Sequence, residues 1–339
     1  MSVYNKDGIQ LAALYDKDGD SLLYAYDKDG NTIFSEATPY PISNVVSYFQ
    51  ESTLDVADAV NALSSEWKSF IFITDPHGSN NKNHSQAIGL YLLDNTDAFM
   101  IVLGGDYSNG NWVKTEYDTY VSPYLESGMM ENIYAVIGNH ETYGNGAKLA
   151  SKVAVYGDFL EDKTNLTINQ TDVYYYFDDT TNKIRYMFLN TSDSAECTMS
   201  QTQISWITSN VQLPTSEWSL LVFAHVNINN MGFTTMNETN GSDIASAIAS
   251  CNGEVIGYIC GHQHIDGVYD VGDFYQSMLY CDKFENTNYY SGYSETDRQI
   301  GTISEQAVSV ISFNTTTKDV VIRRIGVGRN RILSYNYGQ

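Results

Sequence analysis

Positive charge is scarce in this chain. Only 18 Lys and Arg stand against 41 Asp and Glu, a formal net charge of −23 over 339 residues. No broad basic face is left for a nucleic-acid backbone, and a polyanionic ligand would meet repulsion unless cations screened it locally. Cysteine is equally sparse. Cys197, Cys251, Cys260 and Cys281 form no CxxC pair, which argues against a disulfide scaffold and for reduced, buried thiols. Long apolar runs are missing too, since none approaches the roughly 20 residues that cross a bilayer. The opening MSVYNKDGIQLAALYDKDG has neither the basic region nor the apolar core of a secretory signal. The expectation is a soluble protein with no membrane partner, made in a cytoplasm, with incorporation into a virus particle left open. Histidine, finally, occurs only six times.

What is present suffices for a folded body. With 42% hydrophobic and 13% aromatic residues, the chain can bury a sizeable core. Its first 33 residues contain a repeat of period 11: YNKDGIQL from Tyr4, YDKDGDSL from Tyr15 and YDKDGNTI from Tyr26. Asp-Gly between residues that favour extended structure predicts three short strands linked by tight turns. A calcium loop is the competing reading, because Asp16, Asp18 and Asp20 alternate. It fails where glycine and glutamate are required, since Ser21 and Asp27 stand there. Three hairpin strands hold little core. Segment 1–36 is therefore expected to dock on another protein or a virion component, and it resembles the short repetitive attachment segments of some phage tail-associated proteins.

Residues 42–67 carry apolar side chains at helical spacing, so 37–67 reads as a helical connection. Beyond it the apolar runs read as buried strands: SFIFITD (69–75), AFMIVLGGD (98–106), IYAVIGNH (133–140), IRYMFLNTS (184–192), WSLLVFAH (218–225) and VIGYICGH (255–262). Helical stretches such as SQTQISWITSNVQ and GSDIASAIASC lie between them, which predicts an α/β fold over 68–328. AVSVISFN (307–314) and DVVIRRIGV (319–327) read as a closing hairpin, and 329–339 as a tail.

The chemistry lies at the carboxyl ends of these strands, where α/β sheets bind ligands. One run ends in Asp75 and His77, the next in Asp106, another in Asn139, His140 and Glu141, a fourth in His225, and the last in His262 and His264. Five of the six histidines are thus at strand ends. A spacing of two in extended chain puts His262 and His264 on one face, and likewise Asp75 and His77. A glycine before the GNHE and GHQH motifs lets the backbone turn sharply. Imidazole, carboxylate and amide oxygen together suit manganese, iron or zinc. Each fragment alone is weak, but their ordered occurrence after apolar strands predicts a metal site.

This ordered set resembles the calcineurin-like metallophosphoesterase superfamily over roughly residues 66–328. The resemblance implies a four-layer α/β/β/α sandwich, here with a small N-terminal β-repeat segment, holding two metal ions. Carried over, Asp75, His77 and His264 would hold the first ion, Asn139, His225 and His262 the second, and Asp106 both. A hydroxide bridging the ions would be the nucleophile. His140 would serve the leaving group as general acid or the phosphoryl oxygens as donor, with Glu141 orienting it. Two cations about 3.5–4 Å apart can clamp a phosphoryl group, and a leaving alkoxide needs a proton. In purple acid phosphatases a tyrosine three positions after the bridging aspartate binds iron. Asn109 stands there in this chain, which argues against the iron–tyrosinate branch.

Around the site, His84, Tyr107, Asn109 and Tyr143 are candidate substrate contacts, and Trp112 could stack on a substrate. For His84 the alternative is a solvated surface histidine. The tyrosine-rich stretch 284–301 reads equally as a specificity loop or a surface connection. The expected function is a dinuclear-metal phosphoester hydrolase preferring diesters. The alternative is a phage tail-associated structural or receptor-binding module, with or without phosphodiesterase activity on bacterial surface polymers such as teichoic acid. A nuclease would share the fold but finds no basic groove.

Overall fold

The apolar runs pair into two large sheets in a computed structural model, which describes residues 3–4, 10–11, 24–26, 32–35, 39–78, 84–110, 112–142, 147–193, 197–228, 238–285 and 297–335. The chain divides into two compact units, Met1–Pro41 and Ile42–Gln339.

In the first unit, β1 (Val3–Tyr4) pairs antiparallel with β2 (Gln10–Leu11), and β3 (Tyr24–Tyr26) with β4 (Thr32–Ser35). Instead of the three short strands expected, the described residues hold four, in two pairs. Asp-Gly falls inside each copy, so the first and third copies each supply both strands of their own ribbon. Residues 5–9 and 27–31, and the whole middle copy with Asp16, Asp18 and Asp20, lie outside the described residues.

The second unit contains a six-stranded sheet in the order β17 (Arg331–Ser334), β16 (Asp319–Gly326), β15 (Ala307–Asn314), β5 (Trp67–Ile73), β6 (Ala98–Leu103), β7 (Ile133–Ala135). A seven-stranded sheet runs β13 (Gly267–Asp270), β14 (Tyr275–Met278), β12 (Glu254–Cys260), β11 (Ser219–Phe223), β10 (Ile184–Phe188), β9 (Tyr174–Asp179), β8 (Thr167–Asn169). Strands β5, β6 and β7 are mutually parallel, as are β10, β11, β12 and β14. The runs at 307–314 and 319–327 do form a hairpin, and its first strand joins the sheet beside β5.

Side-chain alternation along the strands builds the layers. Phe223 projects between the sheets, where it meets Phe70 and Phe72 of β5 and Phe188 of β10 at 4.9–6.5 Å between ring centroids. Tyr134 of β7 stacks on Phe177 and Phe188 in the same layer. Leu220 and Val222, on the opposite face of β11, pack beneath α5 (Gln201–Asn210) and α6 (Glu238–Ala249) with Ile204, Ile207, Ile244 and Ile248. Helix α5 starts where the Ser200 side chain accepts the Gln203 N–H, a cap that satisfies one orphan donor. On the other side, α1 (Ser47–Asn61) and α2 (His84–Asn95) cover the six-stranded sheet. Phe49, Thr53, Val56 and Val60 make the buried stripe of α1, at helical spacing. The result is the α/β/β/α sandwich. Helix α1 and strand β17 are both built into this body: α1 lies on β16 and β17 pairs with it. Two further helices, α3 (Lys114–Leu125) and α4 (Ala147–Phe159), follow β6 and β7.

Candidate metal centre

The parallel strands β5, β6, β11 and β12 all deliver their carboxyl ends to one place. Asp75, His77, Asp106, His262 and His264 there have backbone φ between 44° and 72°. Non-glycine residues rarely occupy this left-handed region, and each costs about 1–3 kcal/mol there. Five such residues at the predicted site are strain held by surrounding structure. The backbone bonds that hold it are visible: Asp75 N–H to Gly105 O, His77 N–H to Asp106 O, and Gly261 N–H to His225 O, each at 3.0 Å. Glycines in the motifs serve a different purpose from the one expected. Gly138 and Gly261 lack positive φ; a Cβ on Gly138 would collide with Asp106, and one on Gly261 with Thr74 and Asp75. Close approach of strand ends, not turning, demands them.

Among the described residues the donor atoms fall into four overlapping groups, of which His77, Asp106 and His140 make one, His264, Cys281 and Glu285 another, and the expected ligands the remaining two. Those of Asp75, His77 and His264 lie within 4.8 Å of one another, and so do those of Asp106, His225 and His262. Asn139 Oδ1 is 3.0 Å from His225 Nε2, which also lies 3.2 Å from Asp106 Oδ2. Asp106 stands between these two groups, with His77 Nε2 at 3.7 Å on its other side. His140 joins from the rim: its Nε2 is 3.8 Å from Asp106 Oδ2 with the side chain 26% exposed, whereas Asp106 is 2% exposed.

Electrostatics fit a cation site. Burial would raise the pKa of both Asp75 and Asp106, yet neighbouring histidines, His225 foremost, hold both carboxyls below the usual range. Burial pushes His77 down to about 3 and His262 to about 4, leaving neutral rings that can donate a lone pair. His225 is raised to about 9: burial opposes this, but Asp106 and then Asp75 outweigh it. The Asp75 Oδ1 and His77 Nδ1 atoms are buried without a hydrogen-bond partner. His77 Nε2 and His264 Nε2 face each other at 3.0 Å, the separation of two adjacent ligands on one cation with bonds of about 2.1 Å at roughly a right angle. Two buried carboxylates among lone pairs aimed inward are a donor set that fits divalent cations.

Glu141 does not orient His140. Its carboxylate accepts backbone N–H groups from Asp106 (2.8 Å), Tyr107 (2.8 Å) and Gly138 (2.9 Å), and so ties the β6 loop to the β7 loop. Burial and the Asp106 carboxylate push Glu141 up to about 8, while the Asp106 and Gly138 N–H groups oppose them. The ring of His140 is instead steered by the Gly110 carbonyl, 2.8 Å from Nδ1.

Other expected contacts are also revised. Tyr107 is fully buried among Tyr117 and Tyr120, and its hydroxyl donates to Val136 O at 2.7 Å. With φ of 59° at Asp106, the chain turns so that the next side chain enters the core. Trp112 packs on Tyr117. His84 opens α2, sets its ring edge-on to Tyr48 at 5.8 Å, and joins none of the described donor groups. Asn109 donates its backbone N–H to Glu116 at 2.7 Å, one residue before the Gly110 carbonyl that holds His140. Tyr143 lies outside the described residues.

Sequence reasoning missed three supporting groups. Glu285 Oε2 lies 2.6 Å from His264 Nδ1, Cys197 Sγ lies 3.8 Å from His262 Nε2, and Thr74 Oγ1 donates to Asp75 Oδ2 at 2.6 Å. Thr74 is legible as the neighbour of a ligand. The other two come from stretches without periodicity and carry no local signal.

A sequence model described as calcineurin-like phosphoesterase matches residues 68–266, more than half of the chain and every candidate ligand. The chain belongs to the calcineurin-like phosphoesterase family. As a member of it, the protein is a phosphoester hydrolase. Solved structures agree in fold. A dimetal phosphatase from Danio rerio superposes with a TM-score of 0.53 at 13% identity, covering 79% of this chain and 99% of that one. A purple acid phosphatase from yellow lupin seeds gives 0.51 at 12% identity, covering 91% of this chain and 58% of that one. GAP50, the anchor in the inner membrane complex of Plasmodium, gives 0.50 at 13% identity, covering 80% and 89%. No curated protein matches the chain in sequence. Among the described residues no helix is long and apolar enough to cross a membrane.

Proposed function

We propose that the protein hydrolyses phosphodiesters with two divalent metal ions. The observation that carries this is the position of Asp106, whose Oδ2 lies 3.2 Å from His225 Nε2 in one donor group and 3.7 Å from His77 Nε2 in the other. Asp75, His77 and His264 would hold one ion, Asn139, His225 and His262 the other, with Asp106 common to both. Manganese, iron or zinc suits these donors. When bound, the ions supply charge neutralisation at phosphorus and a water of lowered pKa.

The chain's own residues do the rest. A carbonyl can only accept, so the Gly110 contact fixes a proton on His140 Nδ1. Nε2 then faces the site, and in the imidazolium form it has a proton to give a leaving alkoxide. Glu141 holds the Asp106 and Gly138 loops in register, which keeps His140 beside the cluster. The preference for diesters rests on charge. In a chain of −23, a monoanionic diester meets less long-range repulsion than a dianionic monoester.

Initial rates on bis(p-nitrophenyl) phosphate and p-nitrophenyl phosphate, with protein loaded in turn with manganese, iron and zinc, test this reading. Faster diester turnover is expected. Faster monoester turnover would overturn the preference, and hydrolysis of neither ester by metal-loaded protein would overturn the activity.

A second reading concerns Met1–Pro41, which forms its own compact unit with two ribbons among its described residues. Such a unit suits attachment to another protein, including a phage tail, with a bacterial surface polymer such as teichoic acid as the diester. Recovery of the chain in purified virions tests this.

A further inference from the structure

We infer that Glu285 is a positioning residue for the first metal site, selecting the tautomer of His264; the inference rests on the two-metal reading above. Glu285 Oε2 lies 2.6 Å from His264 Nδ1. A carboxylate there accepts Nδ1–H, which leaves the Nε2 lone pair pointing inward. That nitrogen is the one 3.4 Å from Asp75 Oδ1 and 3.0 Å from His77 Nε2. His225 is held by a backbone carbonyl instead, with Gly104 O 2.7 Å from its Nδ1. Two candidate ligand histidines are therefore steered through Nδ1, and only His264 by a negative charge.

The segment bearing Glu285 is anchored to the same strand ends. Asp282 N–H donates to Thr74 O at 2.8 Å and Lys283 N–H to Asp75 O at 3.0 Å, while Leu279 N–H donates to Cys260 O at 2.8 Å. The Ser85 hydroxyl donates to Asp282 Oδ2 at 2.6 Å. Arg298, 2% exposed, spreads its guanidinium over the carbonyls of Cys281, Asp282 and Lys283 on one side and Ser304 and Glu305 on the other. A buried guanidinium with its donors spent on backbone carbonyls is a clamp. It fixes residues 281–283 against Thr74 and Asp75, two positions before Glu285. The carboxylate thus reaches His264 from a segment tied to Asp75, another ligand of the same ion.

Titration of the protein with Mn2+, followed by electron paramagnetic resonance and elemental analysis, tests the role in wild type, Glu285→Ala and Glu285→Gln. In the alanine variant one of two Mn2+ dissociation constants should rise about 10–100-fold while the other changes little. Glutamine keeps an acceptor but loses the charge, so it should restore part of the difference. Thermal unfolding of the metal-free proteins separates this from a merely structural part, which would lower the melting temperature and leave both constants alone. Two unchanged constants in Glu285→Ala would overturn the inference and leave the two-metal reading standing. A wild type that takes up no Mn2+, Zn2+ or iron would overturn both.

Discussion

Glu141 accepts the backbone N–H of Asp106 at 2.8 Å, 35 positions away in sequence. Through this bond a residue of the GNHE motif fixes the backbone of the residue that stands between the two donor groups, and Asp106 Oδ1 in turn accepts the N–H of His140 at 2.9 Å. Glutamine at 141 would turn an NH2 group toward backbone N–H donors. Glu141→Gln should lose about 1–3 kcal/mol for each N–H left without an acceptor, read by urea unfolding of the metal-free protein. Unaltered stability would mean that the carboxylate does not pin these loops.

Tyr107 makes the opposite prediction. Its hydroxyl reaches Val136 O in the core, so Tyr107→Phe should lower stability by about 1–3 kcal/mol and leave KM for a diester unchanged. A raised KM at unaltered stability would return Tyr107 to the substrate.

Gly261 packs where a Cβ would strike Thr74 and Asp75. Gly261→Ala should displace the Asp75 carboxylate, with an overpacking penalty of about 1–3 kcal/mol and loss of metal from the first site. Elemental analysis of the purified variant checks this; a full metal complement would contradict it.

Metal uptake should release protons in a pH-dependent way. Without metal, His225 is held to about 9 by Asp106 and Asp75 against the effect of burial, so at pH 7 it carries a proton that a cation must displace. His264, held well above its ordinary value by Cys281, Asp75 and Glu285 against the effect of burial, carries another, whereas His77 and His262, lowered to about 3 and 4 by burial, contribute none at that pH. The share released by His225 should therefore shrink as pH rises through 9, and apparent affinity should grow with pH up to there. Calorimetry in buffers of different ionisation enthalpy counts the protons; no release at pH 7 would contradict the assignment of His225.

The strands bearing the site were legible because β5, β6, β11 and β12 are buried on both faces. They read as largely apolar runs with a candidate ligand within three residues of the strand end. The ligands could be named because strand ends place sequence neighbours together. Less was legible where contact depends on the whole fold. Glu285 meets His264 only because Arg298 and two strand-end bonds carry its segment there. Tyr107 was misplaced because proximity to Asp106 in sequence says nothing of the direction imposed by a left-handed residue. The short strands β8, β13 and β14 escaped notice, as three- and four-residue strands give almost no periodic signal.

On the proposed function, Asp106 joins two metal ions into one hydrolytic centre. The most direct measurement of this is metal content and bis(p-nitrophenyl) phosphate turnover on the same preparations of wild type and Asp106→Asn. Two ions and metal-dependent turnover are expected in the wild type. Asp106→Asn should lose metal and at least about 100-fold in kcat/KM, the scale of one strong electrostatic contact in a transition state. A wild type active with one ion, or an Asp106→Asn variant with full metal and full turnover, would contradict it.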